Sequence, residues 1–178
     1  MHTLRFRRAT AADVPALVAL VTSAYRGETS RLGWTTEADL LDGQRIDAQV
    51  LLADIQRPRS AVLIAERERD MVACVHVADV DGAGYLGMFS VQPANQGSGV
   101  GSELMLEGER YAHEDLGLSL MRMTVIDVRE ELMAWYERRG YARTGVKKPF
   151  PYGDTRFGIP RRDDLRFEVL EKHLGSEA

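Results

Sequence analysis

The sequence has a single cysteine, few aromatic residues and no long apolar run. One cysteine excludes an intramolecular disulfide, and the position of Cys74 in the apolar stretch MVACVHV favours a buried structural thiol over a catalytic one. No run approaches the roughly 18 apolar residues of a membrane-spanning helix, and the first ten residues hold no apolar signal core. We therefore expect a cytoplasmic protein with no membrane partner.

An excess of positive charge is also missing. The 178 residues include 23 Lys and Arg against 27 Asp and Glu, which gives a formal net charge of −4. Such a chain does not present the basic surface that is typical of nucleic-acid binding, so we expect no nucleic-acid partner. The length fits a single domain, predicted to span residues 1–178, with enough apolar residues for one core. The sequence predicts no metal site.

The first half of the chain predicts two helices and a meander of strands. A strand over residues 4–9 precedes a helix over Thr10–Tyr25, where apolar side chains recur at helical spacing and Thr10 is the N-cap. A second helix is predicted to begin near Thr36, with residues 45–55 continuing it. Three apolar runs separated by short turns then predict consecutive antiparallel strands at 61–65, 71–80 and 85–91.

The second half of the chain predicts a helix, a crossover strand, another helix and two final strands. Because a whole helix separates the strand at 85–91 from the next one, these two strands are predicted to run parallel. The second of the two helices ends at Gly140, a C-cap residue. The predicted elements are helix 102–116, strand 118–125, helix 129–139 and strands 141–146 and 165–171.

A glycine-rich turn, QGSGVG at residues 96–101, joins the meander to the next helix. Glycine lets an anion approach the main chain, and the unpaired N–H groups at a helix N-terminus favour phosphate there. The dinucleotide fingerprint of a nicotinamide-dependent oxidoreductase would need glycine where Ser102 stands, and a P-loop would need a following GK[ST]. A turn that serves helix–strand packing alone is the remaining alternative.

Two stretches resemble the signatures of one family. QGSGVG is similar to the [QR]xxGx[GA] signature of the GCN5-related N-acetyltransferase (GNAT) superfamily, and FSVQP just before it resembles that family's apolar-Val-x-Pro strand end. EELMAWYERRGY, at 130–141, resembles the second signature, with Trp135 where leucine is common. The matching positions there are Ala134, Tyr136, Glu137, Gly140 and Tyr141.

This resemblance extends to the order of the predicted elements. It implies an α/β fold with a mixed, mostly antiparallel sheet of about seven strands, flanked by about four helices. Strands 4 and 5 of that sheet would be parallel and splayed apart, because a bulge bends strand 4 and releases its backbone groups.

The resemblance also implies an activity, the transfer of an acetyl group from acetyl-CoA to a primary amine. The splayed strand and the glycine turn would bind the coenzyme, and a backbone N–H of the strand, that of Phe89 or Ser90, would stabilise the oxyanion. Arg129, before the second signature helix, is either a coenzyme contact or a solvated surface residue. The implied coenzyme-binding residues are Phe89, Ser90, Val91, Gln96, Gly97, Ser98, Gly99, Val100, Gly101, Ser102 and Arg129.

Tyr136 is the candidate general acid, since a tyrosine at this position in the family lies near the coenzyme sulfur. Leu132, Trp135 and Tyr136 also have the spacing of an ordinary core face, and both interpretations can hold together. In protein-acetylating members a glutamate general base often stands where this chain has Tyr85. His76 is a possible base, although a lone histidine on a strand is more often structural.

The base therefore stays open, with Asp79 and Asp81 as further candidates. The loops that would line the acceptor site contain aromatic side chains, which favours a small polar amine or an amino acid over a basic peptide tail. These side chains are Trp34, Phe150, Tyr152 and Phe157. The alternative is a non-catalytic acetyl-CoA sensor of the same fold. A homodimer is compatible with either function.

Overall fold

The computed structural model describes residues 3–25, 41–42, 46–152 and 159–175, which form a seven-stranded sheet with helices on both faces. The helices are α1 (Val14–Tyr25), α2 (Ala48–Gln56), α3 (Val100–Arg110) and α4 (Glu130–Glu137). The strands of the sheet are β1 (Arg5–Arg8), β2 (Ser60–Arg67), β3 (Asp70–Val80), β4 (Ala83–Val91), β5 (Leu120–Ile126), β6 (Ala142–Pro149) and β7 (Arg166–His173).

The order of strands in the sheet is β1-β2-β3-β4-β5-β7-β6. All neighbouring strands are antiparallel except β4 and β5, which run parallel because α3 carries the chain back between them. The predicted fold class is confirmed, including the parallel pair of strands 4 and 5. A separate two-stranded ribbon pairs residues 41–42 with 159–160.

Two of the described helices depart from the prediction, and one predicted helix has no counterpart to compare among the described residues. The helix predicted near Thr36 lies outside the described residues, as do Trp34 and Phe157. Asp47 is extended and its side chain caps the backbone N–H groups of residues 49 and 50, so α2 begins as a helix of its own and does not continue an earlier one. The helix after the glycine turn starts at residue 100, two residues earlier than predicted, and ends in a π-helical turn over Tyr111–Asp115.

Two apolar clusters lie on opposite faces of the sheet, because successive side chains of a strand alternate between faces. Val75 belongs to the cluster with α3 and α4, whereas Cys74 belongs to the cluster with α1 and α2. Cys74 is fully buried, which confirms the structural thiol. None of the helices in the described part of the chain is long and apolar enough to cross a membrane.

A β-bulge in β4 opens the sheet beside β5. The register against β3 shifts between the pairs Cys74–Ser90 and His76–Gly87, so that two residues of β4 oppose one of β3. Met88, in the bulge, has a left-handed φ of 54°. Consequently β4 and β5 pair only near residues 84 and 85 and then separate, which leaves a gap in the middle of the sheet.

Candidate active site

The gap between β4 and β5 opens into two cavities that share Phe89. The glycine-turn cavity has a volume of about 520 Å³ and lies between the end of β4, the start of α3 and α4. The aromatic cavity has a volume of about 340 Å³ and lies between β4, β5, α1 and the start of α4. Its aromatic walls are Tyr25, Tyr85, Phe89, Tyr136, Phe150 and Phe167.

The glycine-turn cavity is built around the predicted turn. Gly97 and Gly99 have left-handed φ values of 82° and 87°, which favour glycine, and Gly99 is the N-cap of α3. A Cβ atom on Gly101 would lie 3.3 Å from Phe89 Cζ and 3.4 Å from the indole of Trp135. A larger residue at position 101 would fill the space between the glycine turn and the rings of Phe89 and Trp135. The turn therefore leaves its backbone accessible at the positive end of α3, as a phosphate site requires.

Arg139 adds a cation to this cavity, and the sequence reasoning did not identify it. Its guanidinium stacks on Trp135, 3.5 Å from the ring centroid, and donates to Ser102 Oγ at 2.7 and 3.1 Å. Burial, together with the positive charge of Arg138, lowers the pKa of Arg139. The only sequence signal for this arrangement is the four-residue spacing between Trp135 and Arg139, which places both on one helix face. Glu131 also lines the cavity.

These residues fit a cofactor that carries phosphate groups. Backbone N–H groups at a helix start and two arginines supply donors and positive charge, and glycines supply room for close approach. Gln96, Gly97, Gly99, Gly101 and Ser102 of the predicted set line the cavity. Val100 is instead fully buried in the apolar cluster, and the Ser98 hydroxyl donates to the carbonyl of Asn95.

The backbone of β4 presents alternate groups to the gap. The N–H of Gln92 donates to the carbonyl of Val72, so the ladder places the backbone groups of Ser90 toward β3 and those of Val91 toward the gap. The Val91 carbonyl accepts a hydrogen bond from Gln96 Nε2 at 3.1 Å, which is consistent with that direction. Of the predicted backbone contacts, Val91 therefore faces the gap and Ser90 does not.

Phe89 lies at the bulge, where the two cavities meet. Its carbonyl accepts a hydrogen bond from the hydroxyl of Tyr25 on α1. The ring of Phe89 packs against Trp135 and Tyr136 with centroid distances of 5.6 and 6.3 Å. The hydroxyl of Tyr25 therefore connects the bulge to α1, and the ring of Phe89 connects it to α4.

Tyr136 is a buried wall of the aromatic cavity, with a relative exposure of 4%. Its ring makes edge contacts with Trp135 and Tyr141 at 5.3 and 6.1 Å. Leu132 is buried beside it on the same face of α4. The helix face is therefore part of the core and part of the cavity wall, as the two sequence interpretations allow together.

Arg129 lines the aromatic cavity and is not among the residues that line the glycine-turn cavity. It is the N-cap of α4, and its guanidinium carbon lies 6.0 Å from the ring centroid of Tyr25. Phe150 also lines the aromatic cavity, as predicted for an acceptor loop, and Tyr152 packs against it with a centroid distance of 5.1 Å.

His76 does not line either cavity. Its Nε2 lies 2.8 Å from Ser60 Oγ, and its Nδ1 lies 3.7 Å from Asp54 on α2. Burial lowers the pKa of His76, and nearby Arg57 lowers it further, against the opposite effect of Asp54. The ring of His76 makes a T-shaped contact with Tyr85, a wall of the aromatic cavity, at a centroid distance of 5.9 Å.

The two other candidate bases are also outside the cavities. Asp79 pairs with Arg59 at 2.8 Å and accepts from the N–H of Gly82, and the pKa of Asp79 is lowered chiefly by the bond with Arg59. Asp81 is exposed in the same turn. Among the residues that the structure describes, no cluster of three His, Cys, Asp or Glu side chains is placed to hold a metal ion.

Comparisons with known proteins agree with this architecture. Three similar solved structures are ribosomal-protein-S18-alanine N-acetyltransferase from Escherichia coli, ribosomal-protein-alanine N-acetyltransferase from Brucella melitensis and a mutant of spermidine N-acetyltransferase from Vibrio cholerae. Their sequence identities to this chain are 14%, 21% and 13%, with TM-scores of 0.71, 0.70 and 0.69. The alignments cover 99%, 96% and 96% of this chain and 97%, 99% and 93% of those chains.

No curated protein matches the sequence at a significant level. The model of the acetyltransferase (GNAT) family, however, matches residues 22–141. That range includes the bulged strand, the glycine turn and the helix that carries Tyr136. The chain therefore belongs to the GNAT acetyltransferase family.

Proposed function

We propose that the protein is an acetyl-CoA-dependent N-acetyltransferase that acts on the primary amine of a small or amino-acid-like molecule. The observation that carries this proposal is the gap between β4 and β5, which joins the glycine-turn cavity to the aromatic cavity at Phe89. Family membership supports the coenzyme, because GNAT acetyltransferases generally use acetyl-CoA.

The glycine-turn cavity is the proposed coenzyme site. The N–H groups of residues 96–101 and the start of α3 would stabilise phosphate charge, and Arg139 would add a charge-assisted donor beside Ser102. The backbone of Val91 faces the gap and is placed to pair with the amide-containing arm of the coenzyme. When bound, the coenzyme supplies the activated acetyl group.

Tyr136 is the proposed general acid of the transfer. A nitrogen–carbon bond forms as the thioester carbon–sulfur bond breaks, the nitrogen loses one proton and the departing sulfur gains one. We assign the proton on sulfur to the Tyr136 hydroxyl, because this side chain lines the aromatic cavity beside Phe89. The N–H of Phe89, at the bulge, is the proposed donor to the oxygen that gains negative charge.

The proton that the amine loses has no assigned side chain. His76 contacts Tyr85 but does not line the aromatic cavity, so direct removal of the proton by His76 has no geometric support.

A non-catalytic acetyl-CoA sensor of the same fold is the second candidate. The observation that favours it is Tyr85, which lines the aromatic cavity where protein-acetylating members often have glutamate. Tyr136 in the wall of the same cavity favours the enzyme.

The test combines coenzyme binding with turnover. Acetyl-CoA should raise the melting temperature more than NAD does, because a ligand that binds only the folded protein stabilises it. Release of free thiol should then be followed with α-amino acids, an alanine-terminated peptide and spermidine, since the solved neighbours name acceptors as different as ribosomal-protein alanine and spermidine.

We expect thiol release with at least one small amine. Stabilisation by NAD and not by acetyl-CoA would overturn the proposal. Tight binding of acetyl-CoA without thiol release from any amine would support the sensor instead.

A further inference from the structure

Arg129 lies at the proposed acceptor end of the site, whereas the sequence left it either a coenzyme contact or a solvated surface residue. Its backbone N–H donates to the Ile126 carbonyl at 3.0 Å, which fixes the residue between the end of β5 and the start of α4. Its side chain lines the aromatic cavity and packs near the face of Tyr25. The glycine-turn cavity has its own arginines, Arg138 and Arg139. The two cavities thus have separate cationic groups.

Arg129 is the charged residue among the described residues that line the aromatic cavity. A guanidinium beside aromatic walls suits a carboxylate ligand, because arginine forms charge-assisted and bidentate hydrogen bonds with a carboxylate.

The aromatic side chains of the cavity wall offer packing surface to an apolar group. Six aromatic side chains surround a volume of about 340 Å³, which is within the range of small-molecule sites. Aromatic faces pack against aliphatic or aromatic groups. A ligand that uses both the aromatic walls and Arg129 therefore has an apolar part and an anionic part, in addition to the amine that the proposed reaction consumes.

We propose that the acceptor is a small α-amino acid with an apolar or aromatic side chain, whose carboxylate is bound by Arg129. This inference rests on the proposed N-acetyltransferase function and names its substrate class. Arg129 is a specificity residue, which orients the acceptor so that its α-amino group faces the bulge at Phe89. A polyamine such as spermidine carries the same sign of charge as Arg129 and is disfavoured.

The first experiment measures acceptor binding without turnover. Free coenzyme A saturates the protein, and calorimetry follows the binding of phenylalanine, methionine and leucine, the amide of each, and spermidine. We expect at least one amino acid to bind about 30-fold or more tightly than its amide, the effect of losing one charge-assisted contact. Equal binding of acids and amides, preference for spermidine, or binding of no acid would overturn the inference.

The second experiment uses Arg129→Gln, with Arg129→Lys as the conservative variant. In Arg129→Gln the KM for the preferred acid should rise about 30-fold or more and the preference over the amide should disappear, while kcat changes much less. Arg129→Lys should recover part of the preference, because the charge is kept and the bidentate geometry is lost.

Coenzyme affinity, measured separately for Arg129→Gln, separates this inference from the proposed function. Unchanged affinity for acetyl-CoA with lost selectivity for acids supports Arg129 as the acceptor residue. A large loss of coenzyme affinity with unchanged acid selectivity would assign Arg129 to the coenzyme and overturn the inference, while acetyl transfer itself would still stand. Thiol release with amines but with no acid would also overturn the inference and leave the proposed function intact.

Discussion

The two cavities of the site are built in different ways. The glycine-turn cavity comes mostly from one continuous stretch, residues 96–102, and from one helix, α4. The aromatic cavity takes its walls from α1, β4, β5, α4, the residues after β6 and β7, which are distant in the chain. The first cavity combines the backbone of the glycine turn with side chains of α4 and the residues after it, and the second is lined mainly by side chains. The proposed coenzyme site therefore depends mainly on a local stretch of chain, whereas the proposed acceptor site depends on the assembled fold.

The largest expected effect concerns Tyr136, the proposed general acid. Tyr136→Phe keeps the ring that packs against Phe89 and Trp135 but removes the hydroxyl. We expect kcat to fall about 100-fold, the typical contribution of a general acid, with little change in coenzyme affinity. Initial rates of thiol release with a saturating amine measure it. Full activity of this variant would remove Tyr136 as the acid.

The second prediction concerns the glycine-turn cavity alone. Arg139→Gln removes the cation that stacks on Trp135 and donates to Ser102. Affinity for acetyl-CoA should fall about 20-fold, because a charge-assisted contact to phosphate is lost. Calorimetric titration of coenzyme measures the change.

Arg110→Gln is the matched control for Arg139→Gln. It removes the same charge at the far end of α3, where Arg110 pairs with Glu107 and Glu114 on the surface. An equal loss of affinity in both variants would show that net charge, and not the position of Arg139, controls coenzyme binding.

The third prediction tests the link between the cavities. Tyr25→Phe removes the hydroxyl that donates to the Phe89 carbonyl at the bulge. The free energy of unfolding should fall by about 1 kcal/mol, since a buried carbonyl loses its donor. Urea unfolding measures this change. Tyr141→Phe is the control and should cost less, because that hydroxyl donates only to the sulfur of Met105, at 3.6 Å.

The smallest expected effect concerns His76, a candidate base that lines neither cavity, and the dependence of stability on pH. The folded pKa of His76 lies below its ordinary value, chiefly because of burial, so the unfolded chain binds more protons around pH 6. Stability contributed by neutral His76 should therefore be complete above about pH 6.5 and fall as the pH decreases toward the folded pKa. Between pH 7 and 6 the loss should be below about 1 kcal/mol.

Urea unfolding at several pH values measures this dependence, with His76→Gln as the comparison. The slope between pH 7 and 6 should be smaller in the variant. If both proteins show the same slope, His76 is not the group that titrates. If His76→Gln leaves the activity near that of the parent protein, a role as base is excluded as well.

Local patterns predicted most of the fold and the cofactor end of the site. The alternation and helical spacing of apolar residues predicted the strands and helices, and the meander followed from short turns that make consecutive strands neighbours. The glycine turn was recognisable because left-handed φ values and close approach demand glycine at Gly97 and Gly99. These requirements concern only a few neighbouring residues, so they restrict which residue types the local sequence can contain.

Side chains that meet only after folding were predicted less well. His76 was a reasonable base from its strand position, but the face on which it lies turns it toward Asp54 and Ser60. Arg129 and Arg139 are ten residues apart at the two ends of one short helix, and the sequence does not say that each end serves a different cavity. That assignment depends on how α4 crosses the gap between β4 and β5.

The sequence by itself determined the order of elements, the glycine turn at the start of α3 and the tyrosine on α4, because each follows from local spacing and backbone chemistry. Only the tertiary structure decided which side chains share a cavity. The bulge at Met88 separates β4 from β5, and that separation brings Tyr25, Phe89 and Arg129 around one space. Such distant contacts arise from packing across the sheet, for which no short stretch of sequence carries a signal.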